Sequence, residues 1–181
     1  MPAKSKSPTK ATSKQSAKQP SEPTPRASRP VVPPGYRFPT SPNGLLDWSW
    51  ARERLTNSQN YVIVTVRPDG RPHAMGMHGL WFEDAYYFGT DTASRKAKNL
   101  EENPHCVLIN ENFHELVIVE GTAEVIDWES VPEGVAEASN TKYGWPMKPR
   151  KGGSLYRLKP SVVFAFPLDQ IATAVTRWKF E

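Results

Sequence analysis

The stretch YYFGTDTASRKAKNL, Tyr86 to Leu100, decides how the rest of the chain is read. Aromatic residues Tyr86, Tyr87 and Phe88 predict a strand that gives way to Gly89-Thr90-Asp91-Thr92. A helix is expected to open at Ser94-Arg95-Lys96 and to stop before Pro104, which cannot continue it. Arg95 and Lys96 stand in the first turn, at the positive end of the helix dipole, where carboxylates are the stabilising choice. Thr90, Thr92 and Ser94 add hydroxyls, and an opening helical turn leaves backbone N–H groups free. Hydroxyls, cations and free amides together make a phosphate site. A solvated helix start, with both cations pointing at water, accounts for the charge pattern equally well.

Outward from this segment the chain reads as short strands with two or three helices. Leu46, Trp48, Ala51 and Leu55 line one face of an expected helix ending near Ser58. Tyr61 to Val66 is a β-branched strand, and Arg67-Pro68-Asp69-Gly70 is a turn. Further strands are expected over His73 to Phe82, Ala85 to Thr90, His105 to Asn110 and Glu115 to Ile126. A helix follows from near Pro132 to before Gly144, and Ser154 to Leu158, Val162 to Phe166 and Ala172 to Phe180 close the chain as strands. Tight turns between sequential strands, without regular βαβ alternation, favour a mainly β fold built as an antiparallel barrel.

The first forty residues are a different material. They hold nine of the eighteen prolines, ten Ser or Thr, eight Lys or Arg, and the single acid Glu22. Too few apolar residues remain to offset the entropy of ordering, so residues 1–40 are read as a disordered basic tail and 41–181 as the folded domain. The whole chain carries +4, but the domain alone holds fifteen basic against eighteen acidic residues, a net of −3. A basic folded surface for specific nucleic-acid binding is therefore not expected. No run of eighteen apolar residues exists, so no helical span of a membrane is expected. One cysteine, Cys106, rules out a disulfide framework and fits a reducing cytoplasm. His73, His105 and His114 lie apart, with no spacing that reads as a metal site.

The segments RPDGRPHAMGMHGLWFE, YYFGT, SRKAKNLEENPHCVL and VEGTAEVID, in that order, resemble the split β-barrel flavoproteins of the pyridoxamine 5′-phosphate oxidase-like family. The resemblance is strongest over Trp50 to Asp127. It implies an antiparallel, Greek-key-like split barrel that forms homodimers and binds FMN or the deazaflavin coenzyme F-420. It gives Thr90, with Gly89 beside it, Arg95 and Lys96 to the cofactor phosphate, and the hydroxyl of Ser94 joins them from the pattern above. Ala74, Met75, Gly76, Met77, His78 and Gly79 fall on the strand that runs along the flavin ring. There the backbone bonds the ring's polar edge, and Gly76 and Gly79 permit close approach. Met75 and Met77 fit a barrel core as well as a ring contact. Leu116 stands where the founding enzyme has a glutamine contact. The ending lacks that enzyme's closing Arg-Leu-any-Pro segment, so vitamin B6 oxidation is not expected. Arg177 and Trp178 either cover the cofactor or, for Trp178, plug one end of the barrel.

Hydride chemistry in such a protein belongs to the cofactor, and the side chains orient cofactor and small-molecule substrate. No catalytic acid–base group is nominated. Three functions stay open: an FMN- or deazaflavin-dependent oxidoreductase, a non-catalytic flavin- or haem-binding protein on the same barrel, and an interaction protein with an inert barrel. FMN is the preferred cofactor. The deazaflavin coenzyme extends into a polyglutamate tail, for which Lys98, Lys142, Lys148, Arg150 and Lys151 are candidate cations.

Overall fold

The computed structural model describes residues 24–33, 35–36 and 38–181. The expectation of disorder over residues 1–23 lies outside them. The described residues form nine antiparallel strands and three α-helices, the mainly β architecture expected. In chain order these are β1 (Arg26–Ser28), α1 (Trp48–Asn57), β2 (Tyr61–Val66), β3 (Pro72–Met77), β4 (Leu80–Phe82), β5 (Ala85–Asp91) and α2 (Arg95–Glu102). Then follow β6 (His105–Asn110), β7 (Glu115–Ile126), α3 (Val135–Tyr143), β8 (Gly153–Pro167) and β9 (Thr176–Lys179).

The strands run in the order β1-β9-β8-β7-β6-β2-β3, with β5 on β8 and β4 on β5. β8 organises this layout. One of its edges carries β7 along nearly its whole length, while β5 pairs with Gly153 to Leu158 and β9 with Val162 to Ala165. β3 and β5 do not pair, so the barrel is split by a seam between them.

Alternation fills the core. Tyr61, Ile63 and Thr65 of β2, Leu108 of β6, Val117 and Val119 of β7, and Leu158 and Val163 of β8 are buried. α1 lays Trp48, Ala51 and Leu55 onto this interior, as its 3–4 spacing predicts. Trp48 meets Trp178 edge-to-face at 5.5 Å and Phe180 at 5.1 Å. Asp47 caps the helix by accepting the Ser49 N–H at 2.9 Å. Cys106 is buried and its thiol is pushed up to about 12, so it stays protonated and unreactive.

Three expectations are corrected. The folded part does not begin after Thr40, because Arg26–Ser28 pairs with β9 and aligns Ala27 with Trp178. Arg29 adds bonds to the carbonyls of Ser41, Asn43, Thr173 and Val175. A backbone ladder and a guanidinium hold this segment, and composition reports neither. The expected strand His73 to Phe82 breaks at His78-Gly79, since Leu80 pairs with Tyr87 of β5 while Met77 pairs with Tyr61 of β2. The strands expected over Ser154–Leu158 and Val162–Phe166 are one, β8, which passes Pro160 where the register with β7 shifts at Glu120/Gly121.

Candidate functional site

β3 is bonded to β2 along one edge and has no strand partner on the other among the described residues. Its free edge offers backbone donors and acceptors to whatever lies in the seam. A cavity of about 570 Å³ occupies this region. Gly76 to Gly79 line it from β3 and the following turn, Gly89 and Thr90 from β5, Lys96 from α2, and Gly153 to Leu155 from β8. Ser139 and Tyr143 of α3, together with Trp145, Lys148 and Arg150 of the loop after it, form the opposing wall.

One end of the cavity gathers hydroxyls and cations. Ser94 is the N-cap of α2 and accepts the Ala97 N–H at 3.2 Å. Its hydroxyl lies 3.1 Å from that of Thr90, and Lys96 Nζ donates to Thr90 Oγ1 at 3.3 Å. The first turn of α2 contains no acid. Burial lowers the Lys96 pKa, and the imidazole of His73 is lowered by burial and then by Arg67, Arg95 and Lys96. Arg67 also acts on Asp69, while Arg95 and Lys96 make no ion pair among the described residues. Arg67 Nε and His73 Nδ1 are also buried without a hydrogen-bond partner. A cluster with an excess of positive charge and too few acceptors fits a bound phosphate.

The wall formed by α3 is fixed. The Tyr143 hydroxyl accepts the Gly79 N–H at 3.3 Å, lies 2.8 Å from the Gly79 carbonyl and 2.9 Å from that of Gln59. These bonds pin α3 to the turn between β3 and β4. Lys142 reinforces the attachment, donating at 2.9 Å to the Thr56 carbonyl and at 2.9 Å to the Tyr61 hydroxyl. Its desolvation lowers the ammonium pKa to about 8, opposed by nearby Glu111. A Cβ at Gly76 or Gly89 meets nothing within 4 Å, so these glycines leave room in the cavity. At Gly79 a Cβ runs into the Tyr86 hydroxyl and ring. The close approach served by Gly79 is therefore to Tyr86 rather than to a ligand.

The cavity thus brings together Gly76, Met77, His78, Gly79, Gly89, Thr90 and Lys96, while Ser94 stands one hydrogen bond behind Thr90. Arg95 is exposed beside them and acts on His73 through its charge. Ala74 and Met75 are exposed on β3 and do not line the cavity. Trp178 is only 1% exposed, packed on Trp48, and so is taken up by the core rather than free to cover a ring. Arg177 lies beside it on β9, opposite Phe164 and away from the cavity lining. Lys142 is turned inward to Tyr61, whereas Lys148 and Arg150 do reach the cavity. Sequence reasoning missed Arg67 and the α3 wall. Arg67 had a local signal, a cation at the end of β2 leading into a Pro-Asp-Gly turn; Tyr143 and Trp145 had none.

Among the described residues no group of three or more His, Cys, Asp or Glu is arranged to hold a metal ion, and no helix is long and apolar enough to cross a membrane.

The family model for pyridoxamine 5′-phosphate oxidase matches residues 50–172. No curated protein matches the chain. Among solved structures, an F420 reductase is 22% identical with a TM-score of 0.50, covering 73% of this chain and 98% of its own. A conserved hypothetical protein of Mycobacterium tuberculosis, 18% identical, has a TM-score of 0.54 over 68% of this chain and 86% of its own. General stress protein 26 of Bacillus anthracis is 20% identical, with a TM-score of 0.50 over 65% of this chain and 91% of its own. At these identities the likeness is one of fold.

Proposed function

The chain belongs to the pyridoxamine 5′-phosphate oxidase family, and from that premise we propose that it is an oxidoreductase holding FMN in the seam cavity, where a small organic substrate meets the ring. The observation that carries this reading is the pair of cations Arg95 and Lys96, neither in an ion pair among the described residues, beside the Thr90–Ser94 hydroxyl pair. There Thr90 and Lys96 hold the phosphate, Ser94 orients the Thr90 hydroxyl from behind, and Arg95 supplies charge. The free edge of β3 at Gly76 and Met77 hydrogen-bonds the polar side of the ring, the Gly79 N–H and carbonyl being taken by the Tyr143 hydroxyl. When bound, FMN supplies the hydride chemistry; the chain's own residues bind it, orient the substrate and exclude water. The deazaflavin coenzyme is the second candidate, since Lys148 and Arg150 lie at the cavity where an anionic tail extends. Mass spectrometry of the small molecule released from purified protein separates the two. Reoxidation of the reduced cofactor by an electron acceptor separates an oxidoreductase from a binding-only barrel.

We also propose that the working form is a homodimer. Gly76 lines the cavity and lies in one cross-strand row with Val62, Ile109, Ile118 and Phe164 on the outer face of the sheet. A second copy on that apolar row gives a shallow cavity its missing wall.

The phosphate reading is tested with two ligands. Each charge-assisted hydrogen bond is worth roughly 1.5–3 kcal/mol, so Lys96→Ala is expected to weaken FMN about ten- to a hundredfold. Riboflavin, which has the ring without the phosphate, is expected to bind the variant as it binds the wild type. Arg95→Ala, which removes an exposed cation from the same cluster, is expected to weaken FMN by a smaller factor. Equal weakening of FMN and riboflavin by Lys96→Ala overturns the assignment.

A further inference from the structure

The wall opposite β3 contains an aromatic platform that the phosphate and ring contacts do not use. Trp145 stacks on Tyr143, with centroids 5.3 Å apart and planes at 21°, and His78 stands edge-on to both, at 5.3 Å from Tyr143 and 6.0 Å from Trp145. Such a stack would be unremarkable in a core, but Trp145 is 53% exposed and lines the cavity. Leaving half of a tryptophan in water forgoes much of its burial energy.

The ring is nonetheless held in place from several directions. Gly144 ends α3 in the left-handed conformation (φ 78°) and donates its N–H to the Asn140 carbonyl, which sets the direction in which the chain leaves the helix. Ser139 Oγ then donates to the Trp145 carbonyl at 3.0 Å. Tyr143, the ring beneath, is itself fixed by its bonds to Gly79 and Gln59. A rigid aromatic surface kept open on a cavity is pre-organised to receive another flat ring, because little conformational entropy remains to be lost on binding.

The same loop then places Lys148 and Arg150 on the cavity lining. Arg150 reaches Asp91 at 3.4 Å with both side chains largely exposed, and Lys148 has no ion-pair partner among the described residues. This positive charge belongs to a different element of the fold from Lys96.

We infer that Trp145, with Lys148 and Arg150, forms a substrate subsite that takes a planar aromatic anion, such as an aromatic carboxylate, beside the bound cofactor. The inference rests on the cofactor reading above for what lies next to the subsite. The ligand's ring packs on the free face of Trp145, and its anionic group is met by the two cations. Neutral or non-planar molecules of the same size lack one of these contacts.

The test is calorimetric titration of the FMN-loaded protein with 2-naphthoate, 2-naphthamide and cyclohexanecarboxylate. 2-Naphthoate is expected to bind roughly tenfold or more tightly than cyclohexanecarboxylate, because stacking on an aromatic side chain is lost with the saturated ring. Trp145→Ala removes that preference and Trp145→Phe retains most of it. The double variant Lys148→Met/Arg150→Met is expected to weaken 2-naphthoate by about threefold or more while leaving 2-naphthamide unchanged. FMN affinity stays at the wild-type value in Trp145→Ala and Trp145→Phe. The subsite is overturned if 2-naphthoate binds no better than cyclohexanecarboxylate, or if Trp145→Ala leaves 2-naphthoate binding unchanged. It is also overturned if Trp145→Ala weakens FMN as much as 2-naphthoate, since the platform then belongs to the cofactor. A protein that takes no FMN, yet binds 2-naphthoate through Trp145, overturns the cofactor reading and leaves the subsite standing.

Discussion

Two glycines three residues apart on the same wall of the cavity answer to different physics. Gly79 is buried, and a Cβ there collides with Tyr86, whose ring is fully enclosed in the core and has nowhere to retreat. Gly76 lies on the exposed edge of β3 and faces open space. Overpacking a filled interior costs typically 1–3 kcal/mol, so Gly79→Ala is expected to lower stability by about that amount. Glycine in a strand is itself unfavourable by roughly 0.5–1 kcal/mol relative to alanine, so Gly76→Ala should leave the protein equally stable or slightly more so. At Gly76 the added methyl enters the cavity, and the expected loss is in FMN affinity. Chemical denaturation and FMN titration of both variants check the contrast. A stable Gly79→Ala protein would show that Tyr86 can move.

At the scale of elements, α3 is the part whose attachment depends on a titratable group. Lys142 ties its last turn to Thr56 and Tyr61, and burial lowers its pKa to about 8 from 10.5. Between those values the unfolded chain holds a proton that the folded chain has released. Stability from this residue therefore rises as pH increases through about 8 and levels off near 10.5. Comparison with Lys142→Met isolates the effect, because Cys106 and the other titrating groups are common to both proteins. The stability difference, wild type minus variant, is expected to grow between pH 7 and pH 9.5 in urea titrations. A flat difference would mean that Lys142 is solvated in the folded state. The same element also shows where the sequence was legible and where it was not. β2 and β6 alternate along their length, and β7 does so from Val117 to Ala123, because one face of each is core. The Thr90–Lys96 end of the site was legible for a similar reason: Thr90, Ser94 and Lys96 are neighbours along the chain and their network is local. The break at His78-Gly79 was not, since it depends on Tyr143, more than sixty residues away, gripping the Gly79 backbone. β1 was hidden because its partner is β9 at the other end of the chain. Trp145 carried no pattern at all, and its role comes from the course of the chain after Gly144.

For the molecule as a whole, the question is what covers the outer face of the sheet. Val62, Val64, Val107, Ile109, Leu116, Ile118, Phe164 and Phe166 lie outward on four adjoining strands, none of them fully buried. Phe38 reaches only the Phe166 end, at 6.4 Å between centroids. A contiguous apolar face of this kind marks an interaction surface. Its row through Gly76 leads directly to the cavity, so a second copy covering it would also complete the ligand site. Light scattering is expected to give twice the chain mass of 20.3 kDa. Ile109, paired with both Val62 and Ile118, is the centre of the row. Ile109→Glu places a charge there without touching the core, since the side chain points away from it. The variant is expected to run as a monomer, to keep a cooperative thermal transition, and to bind FMN more weakly because one wall of the cavity is gone. A wild-type monomer that holds FMN tightly would overturn the dimer. A dimeric Ile109→Glu protein with unchanged FMN affinity would place the interface on another face.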